Sequence, residues 1–121
     1  MRDYEKLKVW EKSHQLTLDV YALTKKFPRE ELYGLTSQIR RSAASVPANI
    51  AEGCGRSSQA ELARFCDIAA GSAVETHYHL RLARDLGYLD QETFVRIEQQ
   101  SNEVKRMLNR FIQTVRRGSG A

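Results

Sequence analysis

The segment from Tyr33 to Arg56, YGLTSQIRRSAASVPANIAEGCGR, constrains the fold more than any other part of the chain. Its apolar residues Leu35, Ile39, Ala43, Val46 and Ile50 recur at steps of three and four, the period of one buried helical stripe. Pro47 lies inside that rhythm. A proline removes a backbone N–H and crowds the carbonyl four residues back, so it ordinarily ends a helix. Here the apolar spacing continues from Val46 to Ile50. The sequence therefore predicts one helix kinked at Pro47, with a break at Val46 as the alternative. Turning about 100° per residue, Gln38, Ser45, Asn49, Glu52 and Arg56 fall on a second stripe beside the first. Amides and hydroxyls in that position face either solvent or a hydrogen-bonded contact with another helix. Small Ala44, Pro47 and Ala51 occupy the opposite flank, where a neighbour can approach closely.

Three further helical patterns surround this one. From Val9 to Phe27, Trp10, Ser13, Thr17, Val20, Tyr21 and Thr24 share a face, and Val9, Leu16 and Leu23 form a second line. Phe27-Pro28 ends the pattern, because proline pushes its preceding residue out of the α region. The second helix spans about 35–53. Gly53 and Gly55 suit its C-terminal cap, and Ser57 or Ser58 suits the next start, with Glu61 placed for a capping box. The third helix spans about 59–86, with Leu62, Phe65, Ala69, Ala73, Thr76, Leu80 and Ala83 as its core line. Ile68, Ser72, Glu75, His79, Leu82 and Leu86 lie on a mixed flank. Gly71-Ser72 costs about 1 kcal/mol relative to alanine in mid-helix and predicts a close helix crossing. After Gly87, Asp90 caps a fourth helix over about 91–116. Phe94, Ile97, Ser101, Val104, Leu108, Phe111 and Val115 keep heptad spacing along it, and Gly118 to Ala121 read as a flexible tail. Four amphipathic helices joined by short turns predict a single-domain, all-α, up-down-up-down antiparallel four-helix bundle.

No apolar run approaches the ~20 residues of a membrane span, and no signal-type segment follows the charged N-terminus. A cytoplasmic protein without a membrane partner is expected. Cys54 and Cys66 make no disulfide framework and have no zinc-type spacing, so both are expected to be reduced. The net charge is +4, unevenly spread. Residues 104–121 carry five bases, Lys105, Arg106, Arg110, Arg116 and Arg117, and no acid.

Arg106, Arg110 and Arg117, with Gln99 and Gln113, share one outer face of the fourth helix, where a row of cations could reach phosphates. Arg40 points away from the polar stripe and is placed to reach a partner. Arg41 lies near Glu52 and is read as part of an ion-pair network between subunits. The polar stripe Gln38, Ser45, Asn49, Glu52 and Arg56, opposite Ser72, Glu75 and His79, reads as a contact setting packing or assembly register. Bundle metal sites use paired Glu-x-x-His motifs, whereas Glu75 and His79 are four apart and unmatched. The sequence thus designates no catalytic residue, no metal ligand and no cofactor. Trp10 and His14 are expected in the core or an interface, and Val74 and Tyr78 on a subunit contact.

The run Tyr33-Gly34-Leu35-Thr36-Ser37-Gln38-Ile39-Arg40-Arg41, then Val46-Pro47 and Asn49-Ile50-Ala51-Glu52-Gly53, resembles a known family. It is similar to the bacterial four-helix-bundle proteins typified by the product encoded in intervening sequences of 23S ribosomal RNA genes. The accessory protein of diversity-generating retroelements is a relative. The likeness extends to Leu7, Trp10, Phe27-Pro28, Glu31, Arg56, Ala69, Gly71-Ser72, Glu75 and Leu86-Gly87-Tyr88. It departs at Cys66 and Thr76, where leucine is usual, and at His77, where an acid is common. The resemblance implies a bundle assembling into a homopentamer. It also implies a connection to nucleic acid, through RNA or DNA or through a nucleic-acid enzyme, and it implies no catalytic residue.

The leading expectation is therefore a non-enzymatic homo-oligomeric module with a basic surface for nucleic acid. A protein-interaction scaffold with no nucleic-acid role is the alternative, and a small hydrolase or metal-binding bundle is the remote one.

Overall fold

The computed structural model describes residues 2–120, with no account of the side chains of residues 119 and 120. Four helices make up nearly all of it: α1 Lys8–Thr24, α2 Leu35–Cys54, α3 Gln59–Asp85 and α4 Gln91–Gly120. Short 3-10 turns at Tyr4–Lys6 and Arg29–Glu31 precede α1 and α2, and no strand occurs among the described residues. Each helix packs on its neighbour in sequence and α1 closes against α4, giving the antiparallel bundle. The α2–α3 contact is the most extensive and the α1–α4 contact the slightest.

Caps set the boundaries. Ser58 Oγ accepts from the Glu61 N–H, and Asp90 Oδ1 accepts from the Thr93 N–H at 2.7 Å. The Glu61 carboxylate takes the Arg64 Nε–H (2.9 Å), so the expected box is one-sided. Glu31 does the capping for α2, accepting from the Leu35 N–H at 3.0 Å. At the end of α3, Gly87 adopts φ +83°, while the Tyr88 N–H reaches Ala83 O and the Gly87 N–H reaches Arg84 O. That pairing closes the last turn and needs a residue free to enter the left-handed region. α1 stops at Thr24, three residues short of the predicted end. α4 runs through Gly118 to Gly120, where a flexible tail was expected; Ala121 lies outside the described residues.

α2 is continuous through Pro47, so the alternative break at Val46 does not occur. The chain compensates in part for the missing N–H: the one proton of the Thr17 hydroxyl of α1 is shared between Ser13 O of its own helix (2.9 Å) and Ala43 O, four residues back from Pro47 (3.0 Å). The predicted stripe of Leu35, Ile39, Ala43, Val46 and Ile50 is buried throughout, packed with Leu16, Val20, Leu80, Val104 and Leu108. Two heptad assignments shift by one residue. Cys66 and Ile112 are buried, whereas Phe65 and Phe111 are half-buried at the rim, with cations over their rings.

The close approach lies elsewhere than predicted. Gly71 is exposed, and a Cβ there would meet nothing within 4 Å. Gly53 is the tight position: its Cβ would stand 3.0 Å from Phe65 Cβ and 3.2 Å from Leu62 O. α2 and α3 converge toward the short connection that joins them, so the crowding falls near the turn. His14 is also not a core residue; it is exposed and stacked on Trp10, with ring centres 5.0 Å apart.

Candidate assembly and nucleic-acid surfaces

The helical period sets the polar residues of α2 and α3 against each other along one seam. At its upper end Arg41 donates to Glu75 Oε2 at 3.0 Å and to Gln38 Oε1 at 3.1 Å. Arg41 therefore pairs within its own chain, and not with Glu52. One turn on, Ser42 Oγ and His79 Nδ1 are 3.3 Å apart, and the Thr76 hydroxyl lies 2.9 Å from Ser42 Oγ. Ser72 Oγ then donates to Ser45 Oγ at 2.9 Å, and Asn49 Nδ2 donates to Ser45 O and Oγ. At the lower end Glu52 pairs with Arg56 of the following connection (3.3 Å), and the Arg56 guanidinium lies over the Phe65 ring. The stripe thus divides. Arg41 and Ser45 reach Glu75 and Ser72 across the seam, whereas Gln38 and Asn49 bond within α2 and Glu52 pairs with Arg56 just beyond its end.

Burial lowers the pKa of His79 below its ordinary value; Glu75, 3.7 Å from Nε2, pulls it up, and Arg41 pulls it down. Ser42, His79 and Glu75 follow the order of a nucleophile, base and acid. Ser42, however, has no exposed surface, and its hydroxyl is also within reach of Ile39 O. A nucleophile must meet its substrate, so this trio is a helix-to-helix bond. Ser42 was not singled out from sequence; its position one turn before Ser45 and beside the apolar stripe was the available signal. Among the described residues no three His, Cys, Asp or Glu side chains gather as a metal ligand set.

A second cluster was missed. His77 Nε2 stands 2.9 Å from Glu98 Oε2, and Lys105 Nζ 2.7 Å from His77 Nδ1. An ammonium has only protons to offer, so Nδ1 accepts and Nε2–H donates to the carboxylate. This ties α3 to α4 and removes Lys105 from the set of free C-terminal bases. Arg116 is similarly engaged with Asp67.

Arg106, Arg110 and Arg117 are different. All three are exposed, as are Gln99 and Gln113, and none of the three arginines has an ion-pair partner among the described residues. Arg40 is half-buried: Nε donates to Thr24 Oγ1 at 2.8 Å, and its guanidinium lies 4.9 Å from the centre of the Tyr21 ring. On the outer side of α3, Ile68, Val74, Tyr78 and Leu86 are between 43% and 60% exposed, with open Gly71 among them. No helix is long and apolar enough to cross a membrane among the described residues.

Fold and seam together define an all-helical bundle protein with a hydrogen-bonded polar seam between α2 and α3. The chain belongs to the 23S rRNA-intervening sequence protein family, whose profile matches residues 5–110. A crystal structure of a protein of unknown function from the S23 ribosomal protein family of Bacteroides thetaiotaomicron is similar. The two share 30% identity and a TM-score of 0.80 over 87% of this chain and 95% of that one. No curated protein matches the chain.

Proposed function

We propose that the protein is a non-enzymatic, cytoplasmic assembly module: copies join into a homo-oligomeric ring that presents cationic surface to nucleic acid, or to an enzyme that works on it. The observation that carries this reading is the row of Arg106, Arg110 and Arg117, exposed on one face of α4 and without acidic partners among the described residues. Cations left unpaired on a helix face attract a phosphate backbone and release its counterions. Assembly multiplies the row by the number of copies. The apolar strip along α3 and its C-cap supports assembly, since Ile68, Val74, Tyr78 and Leu86 remain 43% to 60% exposed. The pentameric order comes from the family resemblance. Asn49 and Glu52, which make no bond to α3 among the described residues, are the seam residues available to fix register with a neighbouring copy.

The test is a gel shift with single-stranded RNA and DNA at low salt. Binding should weaken as salt rises and disappear when Arg106, Arg110 and Arg117 are changed to glutamate. A wild-type protein that binds neither strand leaves a protein-interaction scaffold. Light scattering at micromolar concentration should report a multiple of the 13.8 kDa chain, and Asn49→Leu or Glu52→Leu should alter that multiple. A solitary subunit would remove the ring.

A further inference from the structure

We infer that the pocket between the end of α1 and the start of α2 receives one nucleotide of a single nucleic-acid strand, the base lying on Tyr33 and the phosphate between Arg40 and Arg41. This rests on the nucleic-acid reading above and adds to it a defined subsite, away from the α4 arginines and selective for unpaired strand.

The pocket is open and measures about 490 Å³, lined by Tyr21, Leu32, Tyr33, Thr36, Arg40 and Arg41 among others. Two features set it apart from ordinary surface. Tyr33 is 93% exposed, the most exposed large apolar side chain of the chain, and Leu32 beside it is 49% exposed. An aromatic ring held out in water is a platform on which any base can stack. Both arginines enter the lining and no acid does. Glu31, the nearest carboxylate in sequence, is held by the Leu35 N–H and the Tyr88 hydroxyl; Arg41 spends Nη2 on Glu75 and Gln38, so Arg40 is the main cation for an anion and Arg41 adds only its remaining N–H groups. Arg40 uses Nε for Thr24 and lies on Tyr21, which fixes its plane while leaving further N–H donors for an anion. Cations, aromatic faces and a nucleotide-sized opening together match a phosphate with a base attached. A duplex keeps its bases stacked inside and has none to offer Tyr33.

Fluorescence anisotropy of the full chain with a labelled single-stranded RNA, and with the same RNA as a duplex, tests this. Tyr33→Ala should weaken single-strand binding about tenfold, as loss of one stacked base does, and leave duplex binding unchanged. Tyr33→Phe should bind as wild type. Arg40→Gln should flatten the salt dependence by about one phosphate contact. Single-strand affinity unchanged in Tyr33→Ala overturns the subsite, and the nucleic-acid reading survives if the triple α4 reversal still abolishes binding. Wild type that binds no strand removes both. Adenosine monophosphate alone should bind far more weakly than the strand; equal affinity would make the ligand a free nucleotide and overturn the strand assignment. A fall in native mass on Tyr33→Ala would place Tyr33 between subunits and overturn it as well.

Discussion

The Thr17 hydroxyl stands 3.0 Å from the carbonyl oxygen of Ala43, the one oxygen in α2 that Pro47 deprives of its helical partner. A proline in mid-helix normally leaves such an oxygen to water. Here the site is buried, and α1 offers a shared donor, since the same hydroxyl also stands 2.9 Å from Ser13 O.

Thr17→Val keeps the shape and removes the donor, stranding a buried carbonyl, and should cost about 1–3 kcal/mol. In a Pro47→Ala background the helix recovers its own N–H, so the same change should cost less. Urea titration of the four proteins checks this, and an additive cycle would separate Thr17 from Pro47.

His79 makes the fold sensitive to acid. Burial holds its pKa below the ordinary 6.5 in the folded chain, so the unfolded chain takes up the proton first as pH falls. The stability at stake is fully present above pH 6.5 and is lost progressively below it, toward the depressed folded-state value. Between about pH 7.5 and about pH 5.5 the melting temperature should fall further for wild type than for His79→Gln. Equal falls in thermal melts would assign the acid sensitivity to other groups.

Two glycines should respond with opposite sign. Gly53→Ala forces a methyl against Phe65 and Leu62 O and should destabilise by about 1–3 kcal/mol. Gly71→Ala meets nothing within its chain and should stabilise the protomer by about 0.5–1 kcal/mol through helix propensity. Denaturant titration at low protein concentration measures both. If Gly71→Ala also lowers the oligomer mass, the open face of α3 is a subunit contact.

The thiols should be inert in the folded protein. Burial, aided by Cys54 and Asp67, pushes Cys66 up to about 12, and burial raises Cys54 as well. A thiol reagent at about pH 8 should label neither until urea exposes both, because the thiolate is the reactive form. Rapid labelling of native protein would contradict the buried placement.

The angular position of each residue on its helix was legible in the sequence, because the 3.6-residue period belongs to the chain itself. That sufficed for four helices, for the buried stripe of α2, and for the placement of Ser72, Glu75 and His79 on the face that meets α2. It also put Arg106, Arg110 and Arg117 on one outer face. Height along the seam was not legible, because a periodic pattern does not say which turn of one helix stands opposite which turn of another. Only packing made Arg41 the partner of Glu75 in place of Glu52, gave Lys105 to His77, brought Thr17 to Ala43, and moved the tight crossing from Gly71 to Gly53. Sequence determined which residues face inward, Phe65 and Phe111 at the rim excepted; the tertiary structure decided whom they meet, since those bonded partners lie 26 to 34 residues apart and are joined by the crossing of rigid helices.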